Sequence, residues 1–201
     1  MALKTTYAPN HEALYRLAEQ QGGYFTAEQA TAAGFSWERL SDHATRGHFL
    51  RVTRGVYRLA QFPASPIEDF YIALLRCGPK SVISHESALA VHDLSDIIPG
   101  EIHVTVPRSA SRRRKGIRQH RNKLRPTEIT RRQGLSVTSV ARTISDVARS
   151  GLAEEHVGRA IEQALERGLT NRKALFAEAK RRGGRAARLI RKHLSPAGKT
   201  A

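Results

Sequence analysis

At Gly47 the spacing of apolar residues changes from that of a helix to that of a strand, and few folds accommodate what lies on either side. Ser36 can cap a helix over residues 37–46, which Gly47 ends. On that helix Trp37, Leu40 and Ala44 follow i, i+3, i+7 spacing and are expected to face a core. Ser36, Arg39, His43 and Arg46 keep the same spacing on another face and are expected to look outward. Beyond Gly47, Phe49-Leu50-Arg51-Val52-Thr53, Arg54-Gly55 and Val56-Tyr57-Arg58-Leu59 read as a β-hairpin turning at the glycine. Upstream, residues 11–21 read as a helix closed by Gly22-Gly23, with Leu14, Leu17 and Ala18 on one face. A capping box of Thr26 and Gln29 opens another short helix that stops at Gly34. Three short helices followed by a basic hairpin are the parts of a winged helix-turn-helix.

That assembly points to double-stranded DNA. A recognition helix reads the major groove with its N-terminal residues, arginine forks onto guanine, and a helix N-terminus receives a phosphate. The expected DNA-binding residues are Ser36, Arg39, His43 and Arg46 on the helix, and Arg51, Arg54 and Arg58 on the hairpin. Glu38 and Asp42 place negative charge on the same helix, and a solvated basic face is the competing explanation.

Phe62-Pro63-Ala64-Ser65-Pro66 reads as a linker. After it, Ser65, Pro66 and Glu68 are expected to open a helix that ends at Gly78-Pro79, with Ile67, Phe70, Tyr71, Leu74 and Leu75 as its apolar stripe. Short strands follow at 82–83, 102–106, 116–120 and 135–138, with a helix capped by Ser84 between the first two. Helical patterns cover a segment opened by Ser139 and then 153–167, 172–182 and 185–194. The expected fold class is α+β: a winged helix-turn-helix over 1–62, a basic mixed domain with a small sheet and several helices over 63–195, and a disordered tail over 196–201.

Charge marks a polyanionic partner. The formal net charge is +16. Residues 1–60 hold 7 Lys/Arg against 5 Asp/Glu, a net of +2, so residues 61–201, with 27 against 13, carry +14. Arg112-Arg113-Arg114-Lys115, with Arg118 just beyond, lies between two strands and is expected to tip a hairpin. Such a run suits a phosphate backbone, tRNA or an acidic groove on a protein, and equally a solvated loop. Lys180, Arg181, Arg182, Arg185, Arg188, Arg191 and Lys192 form a comparable cluster. Few aromatics accompany either, so stacking on single strands is not supported.

Catalytic patterns are missing. His85, His92 and His103 suggest a metal, but His85-Glu86 lacks a second histidine four residues on, and core or capping roles are favoured. No nucleophile elbow, phosphate loop or carboxylate cluster for a metal nuclease is legible. The single Cys77 ends an apolar helical pattern and reads as an inert thiol. The expectation is a protein that is not an enzyme, with no cofactor, no metal site and no membrane association. No apolar run approaches the ~20 residues of a membrane span. The opening residues lack a secretory core, which points to the cytoplasm.

The strings Gly23-Tyr24-Phe25-Thr26-Ala27-Glu28-Gln29-Ala30 and Gly47-His48-Phe49-Leu50-Arg51-Val52-Thr53-Arg54-Gly55-Val56-Tyr57-Arg58 resemble the N-terminal winged-helix domain of AbiEi-family antitoxins of type IV toxin–antitoxin systems. Downstream, Ile83–Leu89, Ile102–Pro107 and Leu135–Asp146 resemble the second region of that family, so the likeness spans roughly residues 11–168. The resemblance implies a repressor of its own promoter whose second domain counters a co-encoded nucleotidyltransferase-like toxin. It also places the DNA contacts on the 36–46 helix and the 51–58 hairpin. Two other classes remain open: a stand-alone winged-helix regulator or basic module docking an acidic protein, and, least favoured, a metal-dependent nuclease. Operator sequence and oligomeric state are not legible.

Overall fold

Asn10 accepts a hydrogen bond from the Ala13 N–H and starts α1 (His11–Glu19), which buries Leu14 and Ala18. The chain leaves this helix through Gly22 and Gly23, both at positive φ, and enters β1 (Tyr24–Thr26). A Cβ on Gly23 would lie 2.5 Å from the Phe62 side chain, so only glycine passes there. Thr26 then caps α2 (Ala27–Ala32) through the expected box: the Gln29 N–H donates to its hydroxyl at 3.1 Å, and its own N–H donates to the Gln29 carboxamide at 2.8 Å. α3 (Trp37–Thr45), β2 (Phe49–Thr53) and β3 (Val56–Leu59) follow. β3 lies between β1 and β2, antiparallel to both. This is the element order of a winged helix.

The computed structural model describes residues 8–95, 99–107 and 114–195, and the chain divides into two compact units, 1–79 and 80–201. In the first, Leu14, Phe25, Phe35, Leu40, Phe49, Tyr57 and Leu59 form one buried cluster. Phe25 meets Phe49 edge-on at 5.1 Å and stacks on Tyr57 at 5.8 Å. This unit runs past the boundary expected at residue 62, because α4 (Glu68–Cys77) packs on β1 and β3. The Ser65–Glu68 capping box does not form. Ser65 Oγ instead accepts from the Ile67 N–H at 3.3 Å, and the Glu68 carboxylate accepts from the Tyr24 hydroxyl at 2.7 Å. Tyr71 stacks on Tyr24 with ring centroids 5.5 Å apart.

The second unit is a mixed sheet with helices. β4 (Val82–Ile83) leads into α5 (His85–Val91), and β5 (Ile102–Val106) and β6 (Ile117–Arg121) follow. A 3₁₀ turn (Pro126–Glu128) precedes β7 (Ile129–Arg132) and β8 (Leu135–Thr138). The strand order is β6-β5-β4-β8-β7. α6 (Val140–Ser150), α7 (Glu154–Glu166), α8 (Arg172–Arg182) and α9 (Gly184–Leu194) complete it, close to their expected bounds. Ile144, Val147, Val157, Ile161, Leu175 and Ile190 are central to their shared core. The architecture is α+β, as expected.

Two features of this sheet differ from the sequence expectation. β5 and β6 pair in parallel, with Ile102 opposite Ile117 and Val106 opposite Arg121, so the basic segment between them is a crossover and not a hairpin tip. Alternating burial is the same in either direction, which is why strand spacing could not tell them apart. The second feature is the β7–β8 hairpin, which turns on Gln133-Gly134, both at positive φ as a primed turn requires. Only β8 was expected.

Candidate nucleic-acid interface

Ser36 is the N-cap of α3: its hydroxyl accepts from the Arg39 N–H at 3.3 Å. Helix direction therefore sets the positive end of the helix dipole at Ser36, Trp37 and Glu38. Arg39 is exposed one turn in. Arg46 closes the helix, and its Nε donates to the Asp42 carboxylate at 3.0 Å. That pair is solvent-exposed and i, i+4, worth only a few tenths of a kcal/mol, so a phosphate can compete for Arg46. On the hairpin, Arg51 and Arg54 are both exposed, and a bulge between Arg51 and Thr53 twists the strand as it approaches the turn. The Gly55 carbonyl accepts from the Ala27 N–H at 3.0 Å, which ties the tip of the hairpin to the start of α2.

Three expected placements change. Trp37, expected in the core, is 63% exposed, while Leu40 is buried and Ala44 packs at the edge of the core. A nine-residue helix buries a narrow stripe, and the first turn lies beyond it. His43, expected to face outward, is half-buried: its ring stacks on Phe49 at 4.7 Å and meets Phe35 edge-on at 5.6 Å. Burial, then the neighbouring His11 and His48, pushes its pKa below the ordinary histidine value. Arg58 sits on the central strand, where its guanidinium donates to the Phe62 carbonyl. The exposed residues are therefore Arg39 and Arg46 on one face of α3, Trp37 on the opposite side of its first turn, and Arg51 and Arg54 on the hairpin. Trp37 was assigned to the wrong side by spacing alone; its position at N1 of a short helix was the available signal.

In the second unit, Arg112 and Arg113 lie outside the described residues. Arg114 is half-buried and bridges to Ile117, while Lys115 and Arg118 are exposed. Much of the C-terminal cluster is structural. Arg182 donates to Glu178 at 3.0 Å and to Glu128 at 3.2 Å, Arg181 pairs with Glu178, and Arg185 donates to the Leu152 carbonyl at 2.8 Å. Lys180, Arg188 and Arg191 are exposed. The deepest charge among the described residues is Arg142, 1% exposed, bonded to Asp146 at 2.7 Å and Glu128 at 3.0 Å. Burial raises the Asp146 carboxyl to about 6 against the pull of Arg142.

The histidines separate as well. His92 goes to the Thr138 carbonyl, 2.8 Å from Nε2, a structural role. His85 and His103 instead meet His120, which no local spacing in the sequence links to them.

The fold of the first unit defines a winged-helix protein. Residues 12–60, all within it, match the family model AbiEi_4, "Transcriptional regulator, AbiEi antitoxin". That family is one of transcriptional regulators and not of enzymes. The crystal structure of the RV2827C protein from Mycobacterium tuberculosis is similar over 92% of this chain and 76% of that one, with a TM-score of 0.55 and 15% identity, a likeness of fold alone. No curated protein matches the sequence. Among the described residues no helix is long and apolar enough to cross a membrane.

Proposed function

We propose that this protein is a DNA-binding autorepressor and antitoxin, and that it contacts its own promoter with α3 and the β2–β3 hairpin. The observation that carries the reading is exposed Arg39 and Arg46 on one face of α3, together with exposed Arg51 and Arg54 on the hairpin, within the segment that matches a transcriptional-regulator family. Arg39 and Ser36 lie at the N-terminal end of α3, the end that meets base edges in this class of protein. Arg51, Arg54 and Arg46 supply phosphate contacts. The reading is tested by gel shift on the region upstream of its own gene against unrelated DNA of equal length. Arg39→Ala/Arg46→Ala is expected to abolish the preference for the upstream fragment. Equal affinity for both fragments, unchanged by the substitution, would refute the reading.

The second part of the proposal is that the protein counters a co-encoded nucleotidyltransferase-like toxin. Its support is the antitoxin character of the matched family. Co-expression with the neighbouring gene product is expected to restore growth, and growth arrest despite full antitoxin expression would count against it. The exposed Lys180, Arg188 and Arg191 favour an acidic face on any protein that docks the second unit.

A further inference from the structure

Three imidazoles converge in the second unit. His85 begins α5, His103 is the second residue of β5, and His120 the fourth of β6. Parallel pairing sets His103 opposite Arg118 and Thr105 opposite His120, so His103 and His120 share one face of the sheet. One ring nitrogen from each of the three histidines lies within 4.8 Å of those of the other two. His85 and His103 are buried and His120 is half-buried. We propose that His85, His103 and His120 form a binding site for one divalent cation of the zinc class.

The groups around the three rings fit this chemistry. The Glu86 carboxylate lies 2.5 Å from His103 Nδ1, close enough to orient that imidazole as carboxylates do at metal sites, although the pair lacks hydrogen-bond geometry in this structure. Glu86 is itself steadied by the Ser150 hydroxyl, which donates at 3.1 Å. Ser84 Oγ lies 3.0 Å from His85 Nδ1, leaving the far nitrogen of that ring available. His120 Nε2 is buried and finds no hydrogen-bond partner among the described residues. His85 also holds a left-handed φ of 54°, an uncommon conformation for a residue with a Cβ, of the kind that collects at functional sites.

Three imidazoles and no thiolate favour zinc or a neighbouring transition ion over magnesium or calcium, which take oxygen ligands. No fourth side chain joins the group among the described residues, so the remaining position falls to water or an anion. His85 and His120 line a cleft of about 480 Å³ with Arg118, Arg121, Arg149 and Asp146, whose carboxylate is taken by Arg142. The arginines favour an anionic fourth ligand, which offsets their repulsion of the cation. Coordination requires one ring to move: His85 and His120 stack with centroids 3.5 Å apart, and because each lone pair lies in its ring plane, one must turn out of the stack to share an ion.

Cobalt(II) reports such a site through visible absorption bands that distinguish four-coordinate nitrogen ligation from the aqueous ion. Chelator-treated full-length protein titrated with Co²⁺ alone is expected to develop these bands to saturation at one ion per chain, and Zn²⁺ is expected to remove them by displacement. His120→Gln, at the half-buried rim, is expected to lose the bands with its thermal transition retained, while His156→Gln on α7 keeps them. Glu86→Gln is expected to keep the bands but weaken Co²⁺ binding about 10- to 100-fold. No bands in the wild-type protein at saturating Co²⁺ would overturn the proposal whatever the variants do. Bands that persist in His120→Gln would overturn it equally.

Discussion

Single positions separate stability from recognition in the first unit. Gly23 holds φ 92° and a Cβ there would meet Phe62 at 2.5 Å, so Gly23→Ala combines backbone strain with overpacking. It is expected to cost about 2–4 kcal/mol, read from denaturant unfolding; an unchanged midpoint would contradict the contact. Trp37 is the reverse case. With most of its surface in solvent, Trp37→Ala is expected to change stability by less than about 0.5 kcal/mol while weakening DNA binding severalfold. A large loss of stability would restore Trp37 to the core where helical spacing first put it. His43 carries a pH dependence whose sign follows from its burial against Phe49 and Phe35, with His11, His48, Asp42 and Arg46 as the charged or titratable groups around it. Its folded pKa is below the ordinary value of about 6.5. As pH falls through about 6.5, the unfolded chain therefore takes up a proton that the folded chain refuses, and stability drops until the lower folded pKa is reached. Above about 6.5 this contribution is level. His43→Phe is expected to flatten the acid limb of a stability–pH profile for this unit, and an unaltered limb would count against the assignment.

Among elements, the 3₁₀ turn before β7 is clamped to α6 and α8 by charge. Arg142 bridges Glu128 and Asp146, and Arg182 bridges Glu128 and Glu178. Breaking a buried pair strands its partners, so Arg142→Leu is expected to destabilise the protein by about 3–5 kcal/mol, measured by denaturant unfolding. A loss below about 1 kcal/mol would mean the carboxylates are already neutral. Nothing in the sequence marks Arg142 as buried: arginine reads as surface, and its partners come from 14 residues upstream and from the next turn of its own helix. What was legible followed local rules. The Thr26–Gln29 box, the Ser36 cap and the three C-terminal helices depend on residues within a turn of one another. What was not legible depends on partners far along the chain. Parallel pairing of β5 and β6 brings His120 beside His103, and a spacing rule that searches for two histidines on one helix cannot find them. The Ser65–Glu68 capping box failed for the same reason, because Tyr24, 44 residues away, takes the Glu68 carboxylate.

For the whole molecule the question is which part of a +16 chain meets DNA. Charge counting points to residues 61–201, whereas the exposed row on α3 and the hairpin point to the first unit. The structure reduces the conflict, since Arg181, Arg182 and Arg185 of the second unit are engaged internally. Salt dependence distinguishes the two directly, because each phosphate contact contributes about 0.9 to the slope of log affinity against log salt. The decisive measurement is that slope for a fragment of the protein's own upstream region, by fluorescence anisotropy, in the wild type and in Arg51→Ala/Arg54→Ala. The slope is expected to be shallower by about 2 in the variant, with the preference for the upstream fragment retained by α3. An unchanged slope, with affinity intact, would move the DNA contact off the winged helix.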